Sequence, residues 1–523
     1  MERRLSEFFT HEIEEKAGFI SREGDADPLI TGLQYDSRNV KQGNIFFAMP
    51  GLHTDGSLYI DGAIAKGAAA VVCEKAPAVK NSGVVFIMVN NSRTAMSPIA
   101  AAFYGFPSRR MNVTGVTGTD GKSTTVYLIW QLLTMMGKKA GFINTVQYCC
   151  GGEVFWTGEH QTTPEAPVVQ RLLCEMADNG CEYAVIESSS HGLSKKTNRL
   201  GDVEFCSAVM TNVAHEHLEF HGSWEQYRDD KANLFRALDN YTSGKIEPFG
   251  VINADDGSSQ FFAKAAKQKT FRFSAGGMEA DIMLETIESG RWGNWYQTFI
   301  PAQNERIDFR DKLPGAFNSR NAMAAVLVVS NLLNLPLHDI APLVNRLKPV
   351  LARMTAVDKG QPFELVVDYA HTPLSFQTIF PQLRERINKT GGRIITVFGS
   401  PGERDIQKRA EQGRIAALYS DIIVLTDENP RGEDRMAILE EIARGVQEAQ
   451  VFKEDKDKYR RDENLFFIPD RPAAIRKGVS MAKAGDLVLL LGKGLENTMI
   501  FADHEEPYDE IGEAEKALEE LAS

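Results

Sequence analysis

A glycine-bearing segment, G-V-T-G-T-D-G-K-S-T-T over Gly115–Thr125, restricts the fold more than any other part of the chain. It lies between the apolar stretch Asn112–Val116, which predicts a buried strand, and Val126–Met136, which predicts a helix. Glycines let backbone N–H groups wrap phosphate oxygens, and the N-terminus of the following helix adds its dipole. The spacing departs from the usual G-x-x-x-x-G-K, because Val116 stands where the first glycine is expected. The segment still predicts a phosphate-binding loop between a strand and a helix.

The rest of the chain alternates apolar strands with helical patterns, which is typical of parallel sheets with crossover helices. At 523 residues the chain is also too long for a single core. We therefore predict an α/β fold with three domains. They are a small N-terminal α/β domain over 1–108, a central P-loop-type parallel-sheet ATPase domain over 109–347, and a C-terminal Rossmann-like domain over 348–523.

Polar residues or glycines stand directly after six of the predicted strands. In open parallel sheets, ligands bind outside the carboxyl ends of the strands. These positions therefore predict ligand-binding edges on the sheets of the central and C-terminal domains. They are Glu187, Asn212, Asp368, Gly399, Asp427–Arg431 and Gly492.

The composition excludes several classes of function. A net charge of −13 argues against general nucleic-acid binding, which requires broad positive surfaces. The charged N-terminus has no apolar segment of a signal peptide, and no apolar run approaches the ~18 residues of a membrane span. The six cysteines show neither C-x-x-C nor zinc spacing. We expect a cytoplasmic protein with reduced thiols, no nucleic-acid partner and no membrane insertion.

Three residues of the central domain have the chemistry of nucleotide binding. Lys122 would reach the β- and γ-phosphates, and the Ser123 hydroxyl would ligate Mg²⁺. Glu187, in I-E-S-S-S-H-G, stands at a strand end like a Walker-B carboxylate, although a single Glu can also be a surface residue. The histidines of H-E-H-L-E-F-H-G do not predict zinc, because H-E-x-x-H and a downstream ligand are both missing.

The motifs follow one another as they do in one enzyme family. In order they are D-S-R-N-V-K-Q-G-N-I-F-F-A, G-T-D-G-K-S-T, E-S-S-S-H-G-L, T-N-V-A-H-E-H-L-E-F-H-G, Y-R-D-D-K-A-N-L-F, L-P-G-A-F-N-S-R-N-A-M-A-A, V-V-D-Y-A-H-T-P, D-E-N-P-R and G-K-G-L-E. Over nearly the whole chain this set resembles the Mur ligase family, and within it the UDP-N-acetylmuramoyl-tripeptide synthetases. Any one motif is weakly specific, whereas nine in the same order are not expected by chance.

The resemblance implies an ATP-dependent, ADP-forming ligase of peptidoglycan synthesis. Members activate a peptide carboxylate as an acyl phosphate, which an amine then attacks, and two Mg²⁺ ions offset the charge. Ser123 and Glu187 match the first metal site, and His217 and Lys231 match the second. The family carries a carbamylated lysine at the Lys231 position, and a carbamate can ligate a cation where an ammonium cannot. The catalytic residues implied are Lys122, Glu187, His217 and Lys231.

The resemblance also assigns residues to the two nucleotide-bearing substrates. The ATP-binding positions are Gly118, Thr119, Asp120, Gly121, Lys122, Ser123, Thr124, Asn321, Arg353 and Asp368. The UDP-muramoyl-peptide positions are Ser37, Thr162, Thr163, Ser189 and Arg199. Two local departures are the alanine that precedes Arg353, where members often have glycine, and two extra residues between Leu193 and Arg199.

The C-terminal domain should bind the incoming amino acid. The positions that match those contacting meso-diaminopimelate in the family are Arg404, Asn429, Arg431, Gly492 and Glu496. Glu428 replaces the usual aspartate of D-N-P-R, and Leu495 replaces the histidine of G-K-G-H-E. We expect meso-diaminopimelate to be added to UDP-N-acetylmuramoyl-L-Ala-D-Glu, with L-lysine or L-ornithine as the alternative.

Two other functions are alternatives to a tripeptide synthetase. Another amide ligase of the superfamily, such as a folylpolyglutamate synthetase, shares D-Y-A-H-T-P, but the N-terminal D-S-R segment and E-N-P-R favour the tripeptide synthetases. A nucleotide-binding scaffold without turnover would have lost Lys122, Glu187 or Lys231, and all are present. The expected partners are small molecules only, and the chain is expected to be a monomer.

Overall fold

The computed structural model describes residues 1–50, 55–75, 83–157, 161–214, 218–290, 293–350, 354–449, 458–494 and 496–522. The chain forms two compact units. The first contains Met1–Ile287, Trp295–Arg310 and Phe317–Leu347, and the second contains Glu288–Asn294, Asp311–Ala316 and Lys348–Ser523. The bounds 1–108, 109–347 and 348–523 stay predictions, since the first unit contains 1–108 together with most of 109–347.

The N-terminal region contains a five-stranded sheet whose order is Phe19–Glu23, Val85–Val89, Ala70–Cys73, Asn44–Phe47 and Gly32–Gln34. Phe19–Glu23 runs antiparallel to its neighbour and the other pairs are parallel. The three central strands are buried throughout and, apart from Asn44, apolar, as parallel strands covered on both faces require. The α-helices of this region are Leu5–Phe8, His11–Ala17, Ile60–Ala65 and Ser92–Phe103. Arg3–Arg4 pairs with Leu29–Ile30 in a separate two-stranded sheet.

The central sheet has eleven strands. Their order is Val154–Trp156, Gln147–Cys149, Ala140–Ile143, Tyr183–Glu187, Asn112–Thr117, Ser207–Met210, Phe249–Asn253, Lys269–Ser274, Ile282–Gly290, Gly293–Ile300 and Glu305–Asp311. The strands from Ala140–Ile143 to Ile282–Gly290 pair in parallel. The carboxyl ends of Tyr183–Glu187, Asn112–Thr117 and Ser207–Met210 therefore share one edge of the sheet.

Helices cover this sheet and bury its apolar side chains. The α-helices are Lys122–Met135, Ala166–Asp178, Ser190–Leu193, Leu218–His221, Trp224–Arg236, Ser259–Ala265, Phe317–Leu333 and Leu337–Ile340. The predicted helix Val126–Met136 is present, and it begins earlier, at Lys122. Its first turn thus directly follows the glycine-bearing segment.

The C-terminal region contains a six-stranded sheet. Its order is Thr355–Ala356, Glu364–Asp368, Leu487–Leu491, Ile394–Phe398, Ile422–Leu425 and Leu465–Phe467. Only Thr355–Ala356 pairs antiparallel, so the other five strands end at one edge. The α-helices are Pro373–Thr390, Gln407–Tyr419, Arg435–Ala449, Arg471–Met481 and Glu510–Ala522, and Thr498–Ile500 pairs with Glu505–Pro507 in a hairpin.

Two helices of the C-terminal sheet cross with their backbones in contact. A Cβ on Gly445 would lie 1.7 Å from the Ala410 carbonyl oxygen, and one on Gly413 would lie 2.0 Å from that of Ile442. Glycine is therefore required at both positions, because a backbone obstacle cannot move aside as a side chain can.

In the part of the chain that the structure describes, no single helix is long and apolar enough to cross a membrane. Phe317–Leu333 and Leu337–Arg346 meet the length and composition criterion only as a pair, bent by 114° at the break between them.

We expect Gly445→Ala to lower the free energy of unfolding by about 1–3 kcal/mol, as overpacking does in other cores. This loss should outweigh the ~1 kcal/mol that alanine gains over glycine in a helix. Urea unfolding measures the effect. Gly62→Ala is the matched control, since it lies in the helix Ile60–Ala65 with nothing within 4 Å of its Cβ. Equal midpoints for the two variants would contradict the close helix crossing.

Candidate active site

The phosphate-binding loop approaches its neighbours so closely that two positions require glycine. Gly118 and Gly121 have φ angles of 154° and 79°. A Cβ on Gly118 would lie 1.8 Å from Thr211 Oγ1, and one on Gly121 would lie 2.5 Å from Asn321 Oδ1. The helix Lys122–Met135 begins at once, so its N-terminal N–H groups lie beside those of the loop.

Residues that follow the adjacent strand fix the loop by its backbone. Asn212 Oδ1 accepts hydrogen bonds from the N–H groups of Asp120 (2.9 Å) and Thr119 (3.2 Å), and Asn212 Nδ2 donates to the Asp120 carbonyl. Thr211 Oγ1 donates to the same carbonyl at 2.6 Å. Lys122 Nζ folds back onto the loop and donates to the Thr119 carbonyl at 2.7 Å. The loop is therefore shaped by protein contacts, with a lysine ammonium at its edge.

One oxygen of Glu187 collects three hydrogen bonds at the edge of the central sheet. Glu187 Oε2 accepts from Ser123 Oγ at 2.8 Å, from the Thr145 N–H at 2.8 Å and from Thr145 Oγ1 at 2.9 Å. Glu187 is 2% exposed and ends the strand Tyr183–Glu187. The structure thus brings Ser123 and Glu187 together, and hydroxyl and carboxylate oxygens are the ligands that Mg²⁺ prefers. The donor set fits the predicted first metal site.

Lys231 reaches the phosphate-binding loop from the helix Trp224–Arg236. Its side chain is buried, Nζ donates to the Gly118 carbonyl at 2.6 Å, and Nζ lies 4.4 Å from the centre of the Tyr227 ring. Lys231, predicted to belong to the second metal site, therefore contacts the phosphate-binding loop that Ser123 of the predicted first metal site directly follows. His217, its predicted companion, lies outside the described residues.

Three of the residues predicted to bind the muramoyl peptide form one cluster. Thr163 Oγ1 donates to the Glu187 carbonyl at 2.8 Å and accepts from the Ser189 N–H at 2.9 Å. Arg199 Nη1 donates to the Thr163 carbonyl at 2.8 Å. The cluster is attached to the strand that bears Glu187, so the predicted peptide site and metal site share one support.

Of the other two predicted residues of that substrate, Thr162 adjoins the cluster in the chain and Ser37 belongs to the N-terminal region. Thr162 is half-buried beside Thr163. Ser37 opens a short 3₁₀ helix in the N-terminal region, and its carbonyl accepts from Lys66 Nζ at 3.1 Å. No contact between Ser37 and the central cluster is recorded within the described ranges.

The predicted nucleotide-binding residues divide between the two units. Asn321 lies against the phosphate-binding loop, where its Oδ1 accepts from Thr125 Oγ1 at 3.3 Å. Asp368 is in the second unit, where its carboxylate accepts from the N–H groups of Met354 and Ala370, both at 2.7 Å. Arg353 lies outside the described residues. Thr124 is half-buried in the first turn of the helix that follows the loop.

The C-terminal region joins two of the residues predicted to bind the amino acid. Asn429 Nδ2 donates to Glu496 Oε2 at 2.7 Å. Lys493 Nζ donates to Asn429 Oδ1 at 2.8 Å and to Glu496 Oε2 at 2.7 Å. Burial alone would raise the pKa of Glu496, but the neighbouring Lys493 ammonium lowers it below its usual value.

Arg404 and Arg431 lie on loops at the same sheet edge. Arg404 is exposed after the strand Ile394–Phe398. Arg431 is half-buried with a φ of 51°, and its N–H donates to the Ile500 carbonyl. Its buried Nε has no hydrogen-bond partner among the residues that the structure describes.

Glu428 is a buried carboxylate with one unsatisfied oxygen. It is 5% exposed, and within the described part of the chain its Oε2 has no hydrogen-bond partner. Gly492, with a φ of 101°, borders this oxygen, since a Cβ there would lie 3.0 Å from it. Burial raises the pKa of Glu428 to about 7, although the Lys408 ammonium acts in the opposite direction. An unsatisfied buried acceptor of this kind is costly and is satisfied when a donor binds.

Sequence reasoning missed two charged residues that support the predicted sites. Glu165 Oε1 accepts from Arg199 Nη2 at 3.0 Å and from Arg93 Nη1 at 3.1 Å. Lys493 joins Asn429 to Glu496, as described above. Lys493 stands in the G-K-G-L-E motif, which could have drawn attention to it, whereas no pattern links Glu165 to an arginine 72 residues earlier.

The sequence patterns also assigned no role to His221, which is buried. His221 Nδ1 lies 2.7 Å from Asp230 Oδ2, and His221 Nε2 lies 3.1 Å from Ser190 Oγ. The three residues join the E-S-S-S-H-G segment to the helix that carries Lys231. Over the described ranges no group of three or more His, Cys, Asp or Glu side chains is arranged to bind a metal ion.

Three family descriptions match consecutive parts of the chain. Residues 29–104 match the Mur ligase family catalytic domain, 116–329 match the Mur ligase middle domain, and 352–494 match the Mur ligase glutamate ligase domain.

Individual relatives match over almost the full length. The chain is 47% identical over 519 residues to a UDP-N-acetylmuramyl-tripeptide synthetase of Treponema denticola, with 95% of each chain covered. It is 35% identical over 507 residues to a UDP-N-acetylmuramoyl-L-alanyl-D-glutamate–2,6-diaminopimelate ligase of Geobacillus kaustophilus, covering 96% of this chain and 97% of that one. A solved structure of a UDP-N-acetylmuramoyl-L-alanyl-D-glutamate–2,6-diaminopimelate ligase superposes with a TM-score of 0.62 at 25% identity, over 96% of this chain and 98% of that one.

These matches confirm the predicted three-domain α/β fold and exclude the scaffold reading. The chain therefore belongs to the Mur ligase family, as an ATP-dependent amide ligase of peptidoglycan synthesis of the UDP-N-acetylmuramoyl-tripeptide synthetase type.

Proposed function

We propose that the chain joins meso-diaminopimelate to the peptide of UDP-N-acetylmuramoyl-L-Ala-D-Glu. ATP is cleaved to ADP and phosphate, and the peptide carboxylate is activated as an acyl phosphate before the amine attacks. The choice of amino acid rests on two groups that lack hydrogen-bond partners in the described part of the chain, Arg431 Nε and Glu428 Oε2.

The phosphate-binding loop supports the phosphoryl-transfer step. Its backbone N–H groups and the helix N-terminus bind phosphate oxygens, and Lys122 adds a positive charge at the loop. Catalysis of this transfer rests on positioning and on offsetting negative charge rather than on covalent chemistry by the protein. Ser123 and Glu187 would bind one Mg²⁺, and His217 and Lys231 would bind a second. When bound, these ions offset the charge that spreads over the transferring phosphoryl group.

Lys231 is suited to carbamylation by its surroundings. Its amine is buried, 1% exposed, and contacts the Gly118 carbonyl of the loop. An ammonium there would repel Mg²⁺, whereas a carbamate is a carboxylate on a long arm. The modification changes the charge of this side chain from +1 to −1. Two unit charges about 4 Å apart interact by ~4 kcal/mol near a protein surface, so the change strongly favours a nearby cation.

The charges of the C-terminal loops support a substrate with two unlike groups at its distal end. Diaminopimelate carries a carboxylate and an ammonium there, whereas lysine and ornithine carry only the ammonium. A guanidinium pairs with a carboxylate through its planar fork, so Arg431 suits the first group. Glu428 suits the second, because an ammonium can donate to its unsatisfied oxygen.

Lysine or ornithine remains the second candidate, and Glu428 is the observation that favours it. If Glu428 neutralised Arg431, the site would select a lone ammonium. Glu428 Oε2 and Arg431 Nε, however, both lack hydrogen-bond partners in the described part of the chain, so these two atoms do not pair with each other. We further propose that the enzyme acts as a monomer in the cytoplasm on small-molecule substrates.

We expect ATP hydrolysis that depends on both Mg²⁺ and the UDP-muramoyl-dipeptide. Lys122→Ala should lower kcat by ~10³-fold, the scale of losing one preorganised charge contact. A coupled ADP-release assay measures the rate, and chromatography identifies the products. Lys138→Ala, at the partly exposed end of the same βα unit, should retain the wild-type rate. AMP and pyrophosphate among the products would contradict the acyl-phosphate route.

Lys231→Ala should lose most activity while the protein still folds and binds the UDP-substrate. Lys231→Arg should be equally inactive, because arginine keeps the positive charge and cannot form the carbamate. Intact-protein mass under bicarbonate and binding of UDP-muramoyl-dipeptide by calorimetry provide the measurements. An unmodified amine in fully active wild-type enzyme would refute the carbamate.

Arg431→Ala should raise the KM for diaminopimelate by ~10²-fold, because the distal carboxylate loses its partner. Buried polar recognition can reach ~10⁴, and we scale this down because Arg431 is only half-buried. Turnover of lysine should change little or improve. A panel of diaminopimelate, lysine and ornithine, assayed with the same acceptor and ATP, measures both effects.

Glu428→Gln is the companion variant in this panel. It should raise the KM for all three amino acids, because each carries an ammonium that would lose the Glu428 carboxylate as a partner. A wild-type enzyme that already prefers lysine or ornithine would show that Arg431 has another role, and the ligase assignment would be unaffected.

A further inference from the structure

The first turn of the helix Gln407–Tyr419 carries an arginine that is buried within the C-terminal region. Arg409 is among the largest side chains with no exposed surface. It is not among the residues that the sequence motifs assign to any substrate. A buried guanidinium requires several acceptors, because its hydration is lost and it cannot be deprotonated.

The acceptors of Arg409 come from different chain segments. Nη1 donates to Glu433 Oε2 at 2.8 Å and to Glu441 Oε2 at 2.7 Å, and Nη2 donates to the Pro401 carbonyl at 2.9 Å. Pro401 lies three residues before Arg404, and Glu433 lies two residues after Arg431. One guanidinium thus contacts both loops that carry the predicted amino-acid-binding arginines.

The two loops touch each other through their backbones. The Gly402 N–H donates to the Asn429 carbonyl at 2.9 Å. A Cβ on Gly402 would lie 2.0 Å from the Pro430 carbonyl oxygen. No side chain separates the loops here, so a shift of one loop is transmitted directly to the other.

The same helix contacts a third loop through Lys408 and Gln412. Lys408 Nζ donates to the His371 carbonyl at 3.2 Å, and Gln412 Nε2 donates to the same oxygen at 2.9 Å. His371 belongs to the D-Y-A-H-T-P segment, which follows the strand that ends at Asp368. Three neighbouring residues of one helix therefore contact three of the loops at the carboxyl edge of the sheet.

We propose that Arg409 is a positioning residue for the amino-acid site, setting the distance between the loop of Arg404 and the loop of Asn429 and Arg431. The planar fork of a guanidinium can contact Glu433, Glu441 and Pro401 at once, which a single ammonium cannot do with the same geometry. The close crossing at Gly413 and Gly445 brings Glu441 within reach. The proposal rests on the proposed function insofar as these loops bind the amino acid.

If Arg409 only stabilised the fold, its loss would lower the unfolding midpoint without a selective effect on the KM for the amino acid. A second arginine–carboxylate ion pair of the same sheet serves as the control. Arg393 donates to the buried Asp486 at 2.7 Å, at the opposite, amino end of the same strands. Arg393→Met also leaves a carboxylate without its partner, which destabilises a fold. Arg393 directly precedes the strand Ile394–Phe398, so the full length of that strand separates it from the loops at the carboxyl edge.

The test compares full-length Arg409→Met and Arg393→Met for three KM values, kcat and the unfolding midpoint, with the amino acid that the wild type uses best. Arg409→Met should raise the KM for the amino acid by ~10²-fold, the scale of a small misplacement transmitted to a site. Its KM values for ATP and UDP-muramoyl-dipeptide should stay at the wild-type level. Arg393→Met should lower the unfolding midpoint and leave all three KM values unchanged. If Arg409→Met changes the three KM values equally, or changes none, the proposal is overturned.

Arg409→Lys covers the case in which Arg409→Met does not fold. Lysine supplies the charge without the fork, so the KM for the amino acid should still rise selectively, and a wild-type KM in this variant would overturn the positioning role. The outcome is distinguishable from failure of the proposed function. If the wild type uses an amino acid other than diaminopimelate, the choice of substrate fails, while the selective KM change can still be measured with the amino acid it does use.

Discussion

The carboxylate of Glu187 is the contact on which the central site depends. Its Oε2 receives hydrogen bonds from Ser123 in the first turn after the phosphate-binding loop and from Thr145 after the neighbouring strand. The carbonyl of the same residue receives the Thr163 hydroxyl, which in turn accepts from Ser189. A buried carboxylate with this many donors is rigid, because each lost hydrogen bond would leave a buried charge poorly solvated. The predicted metal site and the predicted peptide site are thus attached to one strand end.

In the C-terminal region, buried arginines fix the segments at the carboxyl edge of the sheet. Arg471, which is fully buried and paired with Glu510, donates to the carbonyls of Asp427 and Leu491, the residues before Glu428 and Gly492. Arg409 links two loops of the same edge, through the Pro401 carbonyl and the Glu433 carboxylate. Parallel strands leave carbonyls unpaired at their carboxyl ends, and a guanidinium can bridge two of these ends at once. The loops of this edge can therefore hold unsatisfied groups such as Glu428 Oε2 in place, ready for a substrate.

Much of this arrangement was predictable from sequence patterns. The predicted strand Asn112–Val116 and the predicted helix Val126–Met136 are both present, as Asn112–Thr117 and Lys122–Met135. The three strands between 282 and 311 escaped prediction, because they do not form apolar runs. Gly293–Ile300, for example, alternates buried and partly exposed residues, and polar residues such as Asn294 and Thr298 are among the buried ones. Ser123 with Glu187, and Asn429 with Glu496, were assigned to common sites and do lie in contact. Glu165 was missed because an ion pair between distant segments leaves no local pattern, whereas Lys493 was missed although it stands in the G-K-G-L-E motif.

The sequence by itself determined the fold class, the position of the phosphate-binding loop and the residue types at the strand ends. These features are local: strand and helix periodicity, glycine at turns, and polar residues where apolar runs stop. Only the tertiary structure decided which of these residues meet, and which buried groups stay unsatisfied. The strand order of the central sheet brings Glu187 beside Ser123, and the helix Trp224–Arg236 brings Lys231 to the loop at Gly118. Burial raises the pKa of Glu428. The physical reason is that register, burial and long-range ion pairing depend on residues far apart in the chain, whereas propensity and periodicity depend only on neighbours.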